Sequence, residues 1–455
     1  MLSAKLTMYR SFLLACLLFS VLAIQAQENS PFSRYGLGDL YPQQTIAGRA
    51  MGSISAAFTS SQAINTLNPA SYGNIGLVTY DIGISIDQRT LQSANPAATY
   101  SSANFLPSYV LIGSPISAAK KIGIVFGFKP TARINYSVEN VTRTSVDSLQ
   151  TLYQGTGGLN QAIIGIGKRW GSDSSRVNIS IGFNTGYEFG RKQISTIINY
   201  INDTLAFNKS DFSTTTSYGG LFFNPGIMVS FLLGTEVNKL TKLKEQYLLR
   251  LGASGTFQHN LNANQNYIAE SFNYDANGAI VPIDTIKLQN DISGKIIVPV
   301  TYNAGFMLAK YMPIFGVNKW AVSMDYSAGK WSSYRFYGQP DQVVNSWMVH
   351  AGAEVTPDPS SNGLFNRSTF RAGFYTGTDY INADGNGYKV TAFTLGFGFN
   401  LRKFRTSYNN QFTLINTAIE FGKRGTGVNN ITENFLKFSL GLSLSDIWFI
   451  KHKYD

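Results

Sequence analysis

The sequence is poor in the side chains that most enzymes and metal proteins depend on. Its 455 residues include a single cysteine, Cys16, and three histidines. Cys16 lies in a short apolar stretch near the N-terminus, so a mature chain without that stretch has no thiol. Disulfides, cysteine–zinc sites and cysteine nucleophiles are therefore excluded. Charged residues are also scarce, at 14%, although the formal net charge is +11.

Apolar residues are present in alternation rather than in long runs. In Arg176–Gly190 the odd-numbered positions from Val177 to Phe189 are mostly apolar, and the even-numbered ones are small or polar. A period of two predicts a β-strand with one apolar face. Because about 9–11 tilted residues span a bilayer as a strand, this length indicates a transmembrane β-barrel.

The alternation recurs fourteen times, and an even number of strands closes a single-chain barrel. The fold class expected is therefore all-β, a transmembrane antiparallel barrel of about fourteen strands. The candidate strands are 76–88, 104–115, 121–136, 158–170, 176–194, 213–232, 246–260, 294–309, 318–330, 344–356, 367–378, 388–402, 411–424 and 433–446.

The segments between candidate strands fall into two sets. Three long polar inserts, 137–157, 195–212 and 261–293, alternate with shorter connections. In bacterial barrels the short turns face the periplasm and the long loops face outside. We therefore expect an outer-membrane protein of a Gram-negative bacterium with both termini in the periplasm. Five tryptophans near strand ends predict interfacial girdles: Trp170, Trp320, Trp331, Trp347 and Trp448.

Four segments are predicted along the chain. Residues 1–26 form a secretory signal, with Lys5 and Arg10 before a short apolar region. Residues 27–75 do not alternate and are rich in glycine and alanine, which predicts a hatch housed in the lumen. The barrel follows over 76–449, and 450–455 form a periplasmic tail.

The stretch YGLGDLYPQQTIAGRAMGSISAAFTSSQAINTLNPASYG resembles the N-terminal hatch of FadL-type long-chain fatty-acid channels. The matching element is Asn68-Pro69-Ala70, which follows a run of small residues. The resemblance implies a fourteen-stranded barrel plugged by this hatch. The same superfamily includes PorV-like barrels that serve secretion machines rather than transport, so the resemblance leaves two functions open.

FadL-type channels are held to release ligand sideways through a gap beside a kinked third strand. In this chain Pro130 interrupts the third candidate strand, and proline cannot donate to a strand ladder. The resemblance thus implies a lateral opening at Lys129, Pro130 and Arg133. The alternative is a bulge or an early strand end without a passage.

Parity along the strands assigns eight charged side chains to the lumen. We expect most of them to pair with the hatch, whereas Arg250 and Arg371 are candidates to bind a ligand carboxylate. The eight are Asp81, Asp87, Glu188, Arg250, Asp325, Glu354, Arg371 and Glu420.

Catalysis is not expected. His350 and Glu354 lie on one strand face about 13 Å apart, too far to share a metal or a proton. A serine near His350 would be needed for a hydrolase of the phospholipase type. No cofactor and no metal are expected, and the dispersed basic residues do not indicate nucleic-acid binding.

Two functions remain open at this level. One is binding or passage of hydrophobic small molecules with lateral release. The other is a non-transporting barrel subunit of an outer-membrane machine, for protein secretion or for outer-membrane protein assembly. The expected partners are outer-membrane lipid, with a hydrophobic ligand in the first case and other outer-membrane or periplasmic proteins in the second.

Overall fold

The computed structural model describes residues 30–143, 147–201, 208–238, 242–275, 280–361, 363–401 and 412–446. The predicted signal peptide, the C-terminal tail and Trp448 lie outside these residues. Eighteen strands are present: β1 Asp39–Leu40, β2 Val78–Ala94, β3 Ala97–Ser117, β4 Ile122–Arg143, β5 Ser148–Trp170, β6 Val177–Tyr200, β7 Lys209–Val237, β8 Lys244–Thr256, β9 His259–Tyr274, β10 Ile280–Val298, β11 Thr301–Met312, β12 Val317–Gly329, β13 Arg335–Phe336, β14 Ser346–Val355, β15 Thr369–Thr378, β16 Lys389–Asn400, β17 Phe412–Arg424 and β18 Ile431–Asp446.

These strands form one closed antiparallel barrel. The last strand, β18, pairs with β2 and so closes the wall. β7 pairs with β8 in one part and with β9 in another, so β8 and β9 share one position in the wall. β10 and β11 likewise share the next position, because β10 pairs with β9 and β11 with β8. The two-residue β1 and β13 are not counted, and the pairs β8/β9 and β10/β11 each count as one position. The wall then has fourteen strands, as predicted.

The alternation divides the wall into an outer apolar face and an inner small or polar face. On β16, for example, Phe393 and Leu395 are exposed while Thr394 is buried. Helices are very short: α1 spans Ile46–Arg49 and α2 Leu364–Arg367, with 3-10 turns at Pro31–Arg34, Pro69–Asn74 and Trp331–Ser333. In the part of the chain that the structure describes, no helix is long and apolar enough to cross a membrane.

The barrel wall is tall on one side and low on the other. β4 to β7 contain 22 to 29 residues each, whereas β14 and β15 contain 10. The sequence prediction was wrong for the long inserts, because strands cover most of 137–157 and 261–293. Apolar residues in these extensions are fewer and do not alternate over a whole strand length, so the extensions lack the continuous apolar face that marks the membrane segment.

The tryptophans follow the girdle prediction only in part. Trp170 and Trp347 are exposed at strand ends. Trp331 contradicts the prediction, since it is 5% exposed and packs 4.4 Å, centroid to centroid, from the ring of Tyr380. It lies in a 3-10 turn after β12, where the chain folds over the lumen instead of facing lipid.

Candidate functional site

Residues 30–75 fill the lumen and form the predicted hatch. The Asn68-Pro69-Ala70 element starts its last 3-10 turn, where Asn68 Oδ1 accepts a hydrogen bond from the Ala70 nitrogen at 3.1 Å. Asn68 Nδ2 donates to the carbonyls of Ala56, at 2.6 Å, and of Ile227 on β7, at 3.2 Å. One side chain therefore caps the turn, ties two parts of the hatch together and fixes them to the wall.

A network of charges surrounds Asp39, in the half of the lumen nearer the β2–β3, β4–β5 and β9–β10 turns. Its two carboxylate oxygens accept from Arg89 and from Arg424, each at 2.9 Å. Arg89 also pairs with Asp87 at 2.8 Å, and Arg424 pairs with Asp379. Because these side chains are at least nine-tenths buried, apart from Asp379, the network replaces hydration by direct pairing.

Further wall carboxylates hold the middle of the hatch. Arg49 at the end of α1 donates to Glu420 through Nε at 2.6 Å, and both side chains are almost fully buried. Asp325 accepts hydrogen bonds from the backbone nitrogens of Ser55 and Ala56, at 2.6 and 2.7 Å. The expected ion pairing of lumen charges with the hatch is thus confirmed for Glu420, whereas Asp325 binds the hatch through backbone hydrogen bonds.

The remaining predicted lumen charges have the following partners. Asp81 accepts from the nitrogen of Ile64 in the hatch at 3.0 Å, and Asp87 pairs with Arg89 on its own strand. Glu188 pairs with His259 at 2.8 Å. Glu354 pairs with Arg371 at 2.9 Å, so these two bind each other rather than the hatch.

His350 is bonded through both ring nitrogens. Nδ1 lies 2.9 Å from the carbonyl of Gly52 in the hatch, and Nε2 lies 3.0 Å from Ser327 Oγ. A carbonyl can only accept, so Nδ1 carries the proton and Ser327 donates to Nε2 in the neutral ring. Ser327 is therefore the serine near His350, and the pair joins the wall to the hatch. Among the described residues, no group of three or more histidine, cysteine, aspartate or glutamate side chains could hold a metal ion.

The wall loosens beside Pro130. Pairing of β3 with β4 stops at Val110–Phe128, although both strands continue beyond this point toward the β2–β3 and β4–β5 turns. Over that stretch β4 pairs instead with β1 of the hatch, Leu40 opposite Ala132. The pairing of β4 with β5 shifts register between Pro130 and Ala132, which is a bulge. The bulge that the sequence offered as the alternative to an opening is therefore present, and a hatch strand pairs with part of the β4 edge that β3 leaves free.

The three residues expected to line an opening have different surroundings. Lys129 is 5% exposed and donates from Nζ to Thr66 Oγ1 of the hatch at 3.1 Å. The Pro130 carbonyl accepts from Gln43 Nε2 at 3.0 Å. Arg133 is paired through its backbone with Asp39. All three residues therefore contact or adjoin the hatch.

Two cavities of similar volume lie on opposite sides of the hatch in the described structure. The upper cavity measures about 340 Å³ and combines Trp331, Trp347 and Phe435 with the charges around Asp39. The lower cavity measures about 320 Å³ and adjoins the short turns. Arg250 and Arg371, the candidate carboxylate-binding residues, both line the lower cavity.

Among the members of the hatch–wall network that sequence reasoning missed are Asp39, Arg49, Arg89 and Arg424. Two of them carried a usable signal, because Arg89 has the parity of Asp87 and Arg424 that of Glu420. Asp39 and Arg49 lie in the hatch, which has no periodicity from which a direction could be read.

The closed fourteen-stranded wall with a lumenal hatch is a β-barrel with the fold of FadL-type channels. Solved structures support this at the level of fold. A FadL homologue of Pseudomonas aeruginosa has a TM-score of 0.52 at 12% identity, and the toluene transporter TodX of Pseudomonas putida has 0.51 at 14%. Each alignment covers 90% of this chain and 99% of the other.

The model of the BamG family matches residues 8–455, and the chain belongs to the BamG family. No curated protein sequence matches this chain. The sequence-level likeness is therefore to the BamG family, whereas the channels share the fold.

Proposed function

We propose that this protein is a non-transporting barrel subunit of a multi-protein outer-membrane machine, and that the machine assembles outer-membrane proteins. The observation that carries the proposal is the fixation of the hatch by buried ion pairs with the wall, Arg49–Glu420 and Asp39 with Arg89 and Arg424. The name of the family, BamG, supports membership of a complex and, of the two machines considered, favours assembly.

Energetics support a hatch that stays in place. Separating one partner from a buried ion pair leaves an uncompensated charge and costs about 3–5 kcal/mol. Moving the hatch out of the lumen would separate the pairs at Asp39 and at Arg49 together and would also free the bonds at Asp325. A transport cycle that moved the hatch would have to restore these contacts in each turnover, whereas a structural subunit keeps them throughout.

The tall side of the wall supplies surface for partners. β7 has 29 residues, and about 9–11 suffice to cross the bilayer. The β9–β10 hairpin extends this wall, and β10 carries four exposed apolar side chains: Val281, Ile283, Ile286 and Leu288. In the described chain, the β10 edge from 281 to 291 pairs with no strand other than β9. Free strand edges are places where other chains can dock.

The test uses the tagged full-length protein, extracted gently from native membranes and followed by mass spectrometry of co-purifying proteins. We expect stoichiometric partner proteins. A variant with charged residues at the exposed apolar positions, Ile286→Glu with Leu288→Lys, should lose or weaken partner capture while the barrel still folds. A control variant with the same charges at exposed polar positions of the same strand, Thr285→Glu with Gln289→Lys, should retain partner capture. Recovery of a lone barrel from wild-type membranes would contradict the proposal.

A second function, passage of hydrophobic small molecules, is favoured by one observation. The end of β3–β4 pairing at Val110–Phe128 lies near an upper cavity lined partly by aromatic rings. On this function, lateral release would pass Lys129, Pro130 and Arg133, and β1 would have to move. Pro130→Ala would then change uptake of an aromatic hydrocarbon into whole cells. Uptake equal to that of cells lacking the protein, in wild type and variant alike, would exclude it.

A further inference from the structure

The lower cavity is bounded by the hatch, the wall and three short connections. Gln62 belongs to the hatch, Arg250 to β8, and Lys121, Asp173 and Gly316 to the short connections. Its volume of about 320 Å³ is within the range of small-molecule sites. Many of its lining side chains are polar, unlike those of a pocket for an apolar ligand.

Arg250 is buried in this cavity without a counter-charge. The residue is 5% exposed, and its Nη1 donates to Met307 Sδ at 3.5 Å. Its guanidinium also lies 5.5 Å from the centre of the Tyr311 ring. Within the described residues, no carboxylate lies within ion-pair distance of Arg250. A thioether and a ring face are weak partners for a buried cation, which is costly to desolvate.

Two more hydrogen-bond donors lining the same cavity have no acceptor in the described structure. Gln62 Nε2 is buried and unbonded in a residue that is 4% exposed, and Arg169 Nε is buried and unbonded as well. Buried donors normally have a partner. Gln62 of the hatch and Arg169 of β5 thus each keep an unbonded donor in a residue that lines the cavity, beside the buried cation Arg250 of β8.

The charge balance of the cavity indicates that the acceptor is negative. Lys121, Arg169, Arg250 and Arg371 are lining cations, and Asp173 and Glu354 are lining anions. Partial burial raises the pKa of Asp173, but Arg169 and Lys121 outweigh this and hold it below its ordinary value. Glu354 is already paired with Arg371. Both carboxylates are engaged elsewhere, so neither forms a direct ion pair with Arg250.

We propose that the lower cavity binds a small hydrophilic carboxylate, held by the guanidinium of Arg250, with Gln62 and Arg169 lining the same site. An ionised acceptor forms charge-assisted hydrogen bonds with a guanidinium, which are stronger than neutral ones. This proposal does not depend on the protein's being a machine subunit.

The test measures the thermal unfolding midpoint, Tm, of the full barrel in detergent with sodium lactate, lactamide or sodium chloride at matched ionic strength. Lactate at about ten times its Kd should raise the Tm by about 1–3 °C over both controls. Arg250→Met should abolish the lactate-specific rise. Arg176→Met, at an exposed arginine near the same end but outside the cavity lining, should retain it.

Gln62→Glu gives an independent answer if Arg250→Met folds poorly. The new carboxylate lines the cavity with Arg250, so we expect a higher Tm without ligand and no further rise with lactate. Equal shifts with lactate, lactamide and chloride in the wild type would overturn the proposal. It would also be overturned if Arg250→Met and Gln62→Glu both kept the full lactate-specific rise.

Discussion

The two ends of the lumen use arginine in opposite ways. Toward the β2–β3 and β9–β10 turns, Arg89 and Arg424 are buried and each contacts two or more carboxylates. Toward the short turns, Arg250 is equally buried but contacts only a thioether and a ring face. Burial and residue type alone therefore do not reveal the role of a lumen charge. The partners do, because paired arginines fix the hatch and the unpaired one is open to a ligand.

The largest effect should come from breaking the central pair. Arg49→Met leaves Glu420 buried, with only Tyr375 still bonded to it, so we expect a loss of about 3–5 kcal/mol in the free energy of unfolding. Urea unfolding in detergent, followed by tryptophan fluorescence, measures the loss. The double variant Arg49→Met/Glu420→Gln should recover much of it, because no buried charge remains. A single variant as stable as wild type would show that the pair does not fix the hatch.

A smaller loss is expected at one of the close backbone contacts between the hatch and the wall. Gly52 has φ +74°, and a Cβ there would lie 2.3 Å from the Ala351 carbonyl oxygen. Gly52→Ala should cost about 2–4 kcal/mol, since the strained conformation and the backbone contact add. Gly385 has φ +76° with open space around it, so Gly385→Ala should cost only about 1–2 kcal/mol. Equal losses in the same urea experiment would mean that contact with the wall adds nothing.

The smallest effect is expected at the unpaired arginine. Arg250→Met removes a cation that has no carboxylate partner, so the unfolding free energy in the absence of added anions should change by less than about 1 kcal/mol or rise. The substitution is the one made at Arg49, which keeps the comparison matched. A loss as large as that of Arg49→Met would place Arg250 among the structural charges and remove the contrast between the two ends.

The sequence predicted the membrane part of the wall well, because alternation is imposed by lipid outside and a small-residue lumen inside. Each of the fourteen predicted strands overlaps the wall, although 246–260 and 294–309 each run across two strands, and Asp325 and Glu420 face inward as their parity required. The height of β5, β7 and β9 could not be predicted, since strands above the bilayer need no apolar face. The partner of each lumen charge was equally hidden. Arg49 lies in the aperiodic segment TIAGRAMG, and its partner Glu420 is 371 residues away in the sequence.

The central claim is that the hatch remains fixed in the wall while the protein works. Leu40 on β1 and Ala132 on β4 are directly paired, and the neighbouring hydrogen bond from Tyr41 to Thr131 makes theirs a non-hydrogen-bonded pair. Such pairs bring Cα atoms to about 4.5 Å, which a disulfide can bridge. Since Cys16 is the chain's single cysteine and lies in the predicted signal peptide, the double variant Leu40→Cys/Ala132→Cys introduces a clean cross-link.

The decisive measurement is whether this cross-linked barrel restores the lost function in a strain that lacks the protein. The oxidised fraction is read from gel mobility, and the single-cysteine variants are the controls. We predict full restoration and unchanged partner capture with the hatch locked to β4. Restoration only when the disulfide is reduced would contradict the account, because β1 would then have to leave β4 for the protein to function.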